Sequence, residues 1–384
     1  MSPEPKPPAS KAKKAGIIGA IVGLAAAGIA AGVATERYLV RKARNIDDDP
    51  YADEPFGLLP YDRSATVTTA DDIEIYAEIE GADDAPVTAV FVHGFCLDMG
   101  TFHFQRRALT QAKLPVRAIY YDQPGHGRSG ALPVAEYDIE TLGTGLGAVI
   151  DALAPKGPLV LIGHSMGAMT IMALAEQRPE LFAERVKGVS LLSTSSGGLS
   201  EVSFGLPKMI SQLRRPLLPL VTRAATMTPT MIDRARRAAG DIAWLLTRRY
   251  GFGTSRPSPS VVSYVELMNT ATPMQTVAGY LKTLMEHSRA DSLMAFTGGD
   301  VLIIGGAKDN FTPVAHTRLL AEAMPAARLV VLPEAGHVAP LEFPDEVSGP
   351  LIAQLHRICE AVTASPLKKL FKRRRKNTDQ GERT

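Results

Sequence analysis

Cysteine is nearly missing from this chain: Cys96 and Cys359 are the only two in 384 residues. That excludes a disulfide framework, and no His/Cys cluster stands at zinc-ligand spacing, so no metal site is expected. Charge is also scarce, with 21% charged against 45% hydrophobic residues. This balance excludes a largely disordered chain and leaves apolar material for one sizeable core of about 300 residues plus extensions. No internal repeat is found, which sets aside solenoid architectures. The two thiols do not fix a redox compartment, and Cys96 is expected to fill a loop rather than to react.

What is present is a succession of short apolar runs punctuated by turn formers. Runs at 65–80, 87–92, 116–123, 159–162, 186–192, 301–304 and 328–332 have the length and character of strands, and helix-like segments alternate with them. Such alternation predicts an α/β fold built on a mostly parallel, doubly wound sheet. The run at 159–162 leads into Gly163-His164-Ser165-Met166-Gly167, a strand followed by G-x-S-x-G. Glycine at 163 and 167 permits a turn too tight for a side chain, and the turn pushes the Ser165 hydroxyl outward as a nucleophile elbow.

Three further motifs stand where that elbow predicts them. The run at 87–92 ends in His93-Gly94-Phe95, with His93 expected to be a structural hydrogen-bonder. The run at 116–123 ends near Asp122 and enters Pro124-Gly125-His126-Gly127-Arg128-Ser129, a loop that Asp122 is expected to pin through local hydrogen bonds. After 301–304 comes Gly305-Gly306-Ala307-Lys308-Asp309, and after 328–332 comes Pro333-Glu334-Ala335-Gly336-His337. Nucleophile, acid and histidine thus follow one another in the chain order that this kind of site requires.

On these residues together, over about 65–364, the chain resembles an α/β-hydrolase fold enzyme of the serine esterase, lipase and cofactor-free haloperoxidase-like branch. The resemblance implies Ser165 as nucleophile, His337 as general base and then acid, and Asp309 as the carboxylate that orients the imidazole. It also implies an oxyanion hole made by the backbone N–H groups of Phe95 and Met166. In some relatives the acid follows the sixth strand, but here 186–192 ends in Ser193-Thr194-Ser195-Ser196, with no carboxylate. His103, His126, His287, His316 and His356 lack a matching position after the last strand. Serine at the elbow, where dehalogenases and epoxide hydrolases of this fold have aspartate, implies an acyl-enzyme on a carboxylic ester, thioester or amide. No cofactor is implied. Perhydrolase, haloperoxidase-like or thioesterase activity on the same triad remains open, as does a catalytically silent binding module.

The ends of the chain differ from its body. Residues 15–34 are uncharged, long enough to span a bilayer, and flanked by basic residues on both sides, although 13 of the 20 are Ala or Gly. A transmembrane-like anchor helix within a basic leader at 1–44 is expected, with a cleaved signal peptide as the alternative. Residues 1–44 and 366–384 each carry eight Lys/Arg against two acids, so each is +6, and the total of +2 leaves the middle at −10. The acidic, Pro-containing stretch 45–64 is expected to be an extended linker, and 365–384 a basic disordered tail able to meet anionic lipid. Nucleic acid is not an expected partner, because the acidic body would repel it. Basic residues on both sides of 15–34 leave orientation open, with the basic leader favouring an extracytoplasmic enzyme and the tail opposing it. The long insertion at about 197–294 is expected to be a helical cap. It is basic, and its seven methionines suggest an apolar or acylated substrate such as a lipid ester.

Overall fold

The computed structural model describes residue 40 and residues 49–133, 136–202 and 240–381. Eight strands form one sheet: β1 (Arg63–Thr68), β2 (Glu74–Glu80), β3 (Val87–Val92), β4 (Val116–Tyr121), β5 (Leu159–His164), β6 (Val186–Leu192), β7 (Asp300–Gly306) and β8 (Arg328–Leu332). Their order across the sheet is β1-β2-β4-β3-β5-β6-β7-β8. β2 runs antiparallel to both neighbours, and every pair from β4 to β8 is parallel.

β3, β4 and β5 are buried at every position and mostly apolar because helices cover both faces of a parallel sheet. Alternate residues go to opposite sides. Val90 and Val92 join one core with Leu159 and Leu161, beneath α2 (Ile139–Leu153) and α3 (Met166–Gln177). Ala89 and Phe91 join the other with Val160 and Ile162, against α1 (His103–Ala112) and α10 (Pro344–Gly381). Short α4 (Pro179–Glu184) leads into β6, α8 (Val314–Ala323) joins β7 to β8, and α9 (Ala339–Glu342) precedes α10. Between β6 and β7 the described part of the insertion is helical: α5 (Gly240–Gly251), α6 (Pro259–Ala271) and α7 (Met274–Glu286).

Three expectations need correction. The run 65–80 is two strands, not one. Asp72 turns the chain at φ 58°, and the Ile73 N–H donates to the Thr69 hydroxyl at 3.1 Å, closing a hairpin. The acidic stretch 45–64 is not extended where the structure describes it, because several of its acids and rings are held by the folded body. Phe56 stacks on Tyr264 at 4.5 Å, Tyr51 meets Phe104 at 4.8 Å, Glu54 pairs with His103 at 2.7 Å and with Arg107, and Asp49 accepts from Ser258 and Ser260. The backbone of the basic tail continues α10 to Gly381 rather than leaving it, in keeping with the helix preference of Lys, Arg and Leu.

The expected anchor at 15–34 lies outside the described residues, as does much of the insertion. Among the described residues, no helix is long and apolar enough to cross a membrane. Val40 is buried with Trp244, Phe252, Val261, Val265 and Leu341, so the chain arriving from the N-terminus meets the insertion before it enters the sheet.

Candidate active site

Ser165 sits between β5 and α3 at φ 52° and ψ −119°, a conformation an L-residue adopts only when its surroundings enforce it. Those surroundings are glycine. A Cβ at Gly163 would stand 2.5 Å from the Ala168 nitrogen, and one at Gly167 would collide with the Val92 carbonyl oxygen. The turn is held further by the Ser165 N–H donating to Leu192 O at 2.9 Å and by the Thr194 hydroxyl donating to Ser165 O at 2.9 Å. Thr194 belongs to the polar run after β6, where the sequence offered no carboxylate; its role at the elbow carries no motif.

Asp309 follows β7, and His337 follows β8. Parallel strands deliver both to the carboxyl edge of the sheet beside Ser165. His337 Nε2 lies 2.9 Å from Ser165 Oγ and its Nδ1 2.8 Å from Asp309 Oδ2. These contacts assign the proton to Nδ1, leaving Nε2 to accept from the serine hydroxyl. Asp309 also accepts from the Phe311 and Thr312 N–H groups at 2.7 and 2.9 Å and from the Thr312 hydroxyl at 2.7 Å. Burial works to raise Asp309, but the facing imidazole and these hydrogen bonds hold it below the usual carboxylate range. The carboxylate is completely shielded while the His337 side chain keeps 13% exposure, so solvent reaches the base and not the acid.

Met166 is the first residue of α3, where an N–H has no partner within the helix. The loop after β3 lies against the nucleophile, since a Cβ at Gly94 would be 3.2 Å from Ser165 Cβ. Phe95 follows Gly94 in that loop, and Met166 follows Ser165 directly. His93 is a structural hydrogen-bonder: its Nδ1–H donates to Gly94 O and its Nε2 accepts from the Gln123 N–H, both at 2.8 Å. Asp122 pins its loop by accepting from the Met99 and Arg128 N–H groups at 2.9 and 2.8 Å.

The other histidines are engaged away from Ser165. His103 contacts Glu54, His126 accepts from the Cys96 N–H, His287 and His316 contact Ser195, and His356 faces Glu360. His164 escaped the sequence analysis although it lies inside the motif. Fully buried, it donates from Nε2 to the His337 carbonyl oxygen at 2.9 Å. Burial, reinforced by the neighbouring His337, pushes its pKa down to about 3, so it acts as a neutral donor. Among the described residues, no group of three or more His, Cys, Asp or Glu is arranged to hold a metal ion.

Chemically, the constellation can take a proton from Ser165 as it attacks, stabilise the imidazolium through Asp309, and return the proton to a leaving group. Comparison with known proteins places the chain by family and fold. A family model described as "Alpha/beta hydrolase family" matches residues 89–349. A dihydrolipoyllysine-residue acetyltransferase component of an acetoin cleaving system from Pseudomonas putida is 27% identical, over 73% of this chain and 66% of that protein, just under two thirds. A mouse sn-1-specific diacylglycerol lipase is 26% identical, over 69% of this chain and 81% of its own. A thermophilic esterase from Thermogutta terrifontis superposes with a TM-score of 0.60 at 24% identity, covering 77% of this chain and 99% of that one, a likeness in fold.

Proposed function

We propose, from the premise that this chain belongs to the alpha/beta hydrolase family, that it is a serine hydrolase cleaving carboxylic esters of apolar or acylated substrates. The observation that carries the proposal is the continuous hydrogen-bonded series from Ser165 through His337 to Asp309, at 2.9 and 2.8 Å. Ser165 Oγ attacks the ester carbonyl as its proton passes to His337 Nε2. The carbonyl oxygen becomes an oxyanion received by the Phe95 and Met166 N–H groups. Collapse of the tetrahedral adduct breaks the bond to the alcohol oxygen, which leaves with the proton from His337. Water, deprotonated by the same imidazole, then releases the acid and restores the Ser165 hydroxyl.

The insertion between β6 and β7 serves as a cap over this site, and Met268 and Leu284, buried on α6 and α7, contribute to its apolar interior. Relatives named as diacylglycerol lipase and pimeloyl-[acyl-carrier protein] methyl ester esterase support an acylated substrate. Labelling with a fluorophosphonate probe, alongside p-nitrophenyl esters of increasing chain length, tests the proposal. Wild-type protein is expected to label and Ser165→Ala not at all, with ester hydrolysis lower by at least about 10³-fold. Folded wild-type protein that resists the probe would favour a silent binding module instead.

The apolar run 15–34 acts as a membrane anchor in this proposal, and Val40 supports a specific arrangement. Five residues lie between Ala34 and Val40, so the reach is at most about 22 Å. With Val40 buried against Trp244 and Phe252, the cap would face the bilayer and receive a lipid ester from that side. Carbonate-resistant pelleting of the full chain, lost on deletion of residues 1–36, is the expected result; equal pelleting of both would remove the anchor.

A further inference from the structure

The loop bearing His337 is gripped from three sides, by the His164 imidazole, by a backbone carbonyl of the insertion and by one carboxylate. On the sheet side His164 donates to the His337 carbonyl, as described. On the side of the insertion, the Gly251 carbonyl at the end of α5 accepts the N–H groups of His337 and Val338 at 2.9 and 3.1 Å. The side chain is Glu342, the last residue of α9. Its Oε2 accepts the Gly336 N–H at 2.7 Å, while its Oε1 accepts the N–H groups of Gly253 and Thr254 at 2.8 and 2.7 Å. One carboxylate thus bridges the residue before His337 and the connector between α5 and α6.

The two backbones are in direct contact where it joins them. A Cβ on Gly253 would come within 2.6 Å of the Gly336 nitrogen, and one on Gly336 within 2.5 Å of the Gly253 nitrogen. Among the described residues Glu342 pairs with no Lys or Arg. Burial raises its pKa, the three N–H donors oppose that, and Asp309 adds repulsion. A partly buried carboxylate with no cation beside it is costly to keep, and its ligands are all backbone groups of these two segments.

We propose that Glu342 is a positioning residue that locks the His337 loop to the insertion, so that the imidazole is in register with Ser165 only while the connector at 251–254 is seated. The inference rests on the triad reading of Ser165, His337 and Asp309. A misplacement of about 1 Å in such a relay costs on the order of 10²-fold in rate. Glutamine at this position would keep a single acceptor oxygen, so either Gly336 or the Gly253/Thr254 pair would face an amide NH2.

The experiment compares full-length wild type, Glu342→Gln and Gly253→Ala, with Ser165→Ala as blank. It reads the fluorophosphonate labelling rate, kcat and KM on a p-nitrophenyl ester, and backbone hydrogen exchange. Glu342→Gln is expected to lower the labelling rate and kcat by about 10- to 100-fold, with KM within about threefold. The Gly253, Thr254, Gly336, His337 and Val338 amides should exchange faster together while β5 is unchanged. Gly253→Ala, which pushes from the insertion side, should give the same pattern. A folded Glu342→Gln protein with labelling rate and kcat within twofold of wild type overturns the proposal. Should that variant not fold, wild-type exchange decides: one common rate for the five amides supports the lock, and separate rates for loop and connector overturn it. Wild type that never labels would refute the triad reading instead, and the exchange rates would still judge the lock by themselves.

Discussion

Asp122 holds a turn together by accepting two N–H groups, yet burial, and next to it Asp98, push its pKa up to about 7. A carboxyl raised in the folded state keeps a proton that the unfolded chain has already released. Its contribution therefore favours folding at low pH and is lost as pH rises from the ordinary carboxylate range through about 7. Asp122→Asn removes that dependence, so its Tm should fall less between pH 5 and 7.5 than that of wild type. It should also start lower by the equivalent of about 1–3 kcal/mol, because the amide serves one N–H where the carboxylate served two. Parallel Tm curves for the two proteins would dispose of this account. At Gly167 the demand is purely steric. Gly167→Ala drives a methyl group into the Val92 carbonyl, and a loss of roughly 3 kcal/mol or more, read by urea unfolding, is expected. Ser165, Asp309 and His337 could be found in the sequence because their chemistry dictates both residue type and chain order. His164, Thr194 and Glu342 could not be assigned in the same way. Each acts on backbone atoms far along the chain, as His164 does on His337, and a backbone partner leaves no trace in the sequence.

Strands of the central sheet were legible as elements because burial on both faces makes them predominantly apolar. The hairpin β1–β2 was not: Ala70-Asp71-Asp72 between two alternating runs is a turn signal that the flanking strand pattern concealed. The stretch around Phe56 was misjudged for a different reason. Its acids suggested solvation, but Glu54 and Asp49 are held by partners 49 or more residues away in the chain. Within the insertion, Trp244 on α5 is 1% exposed and its indole N–H donates to the Ser263 hydroxyl on α6 at 3.0 Å. Trp244→Ala removes the largest buried side chain of that cluster. A cost of about 3–5 kcal/mol is expected, appearing as faster hydrogen exchange in α5 and α6 while β5 and β6 keep their protection. Uniform loss of protection across the sheet would mean that the insertion does not unfold as its own unit.

Taken whole, the molecule is an α/β sheet with its insertion and its N-terminal approach packed into one apolar cluster, in which Val40, Tyr51 and Phe56 come from the latter. Deleting residues 1–39 should leave Tm within about 2 °C of the full chain. Deleting 1–60 should lower it by about 4 °C or more, because the Phe104, Tyr264 and Trp244 cluster loses its covering aromatic groups. Equal Tm values for the two truncations would show that residues 40–60 add nothing to stability. The chain has a single tryptophan, and it lies at the heart of this shared cluster. Indole emission from the entire protein therefore originates at one point beside the insertion, shielded from water. A red shift, or readier quenching by acrylamide, would signal the opening of that region with no dye attached.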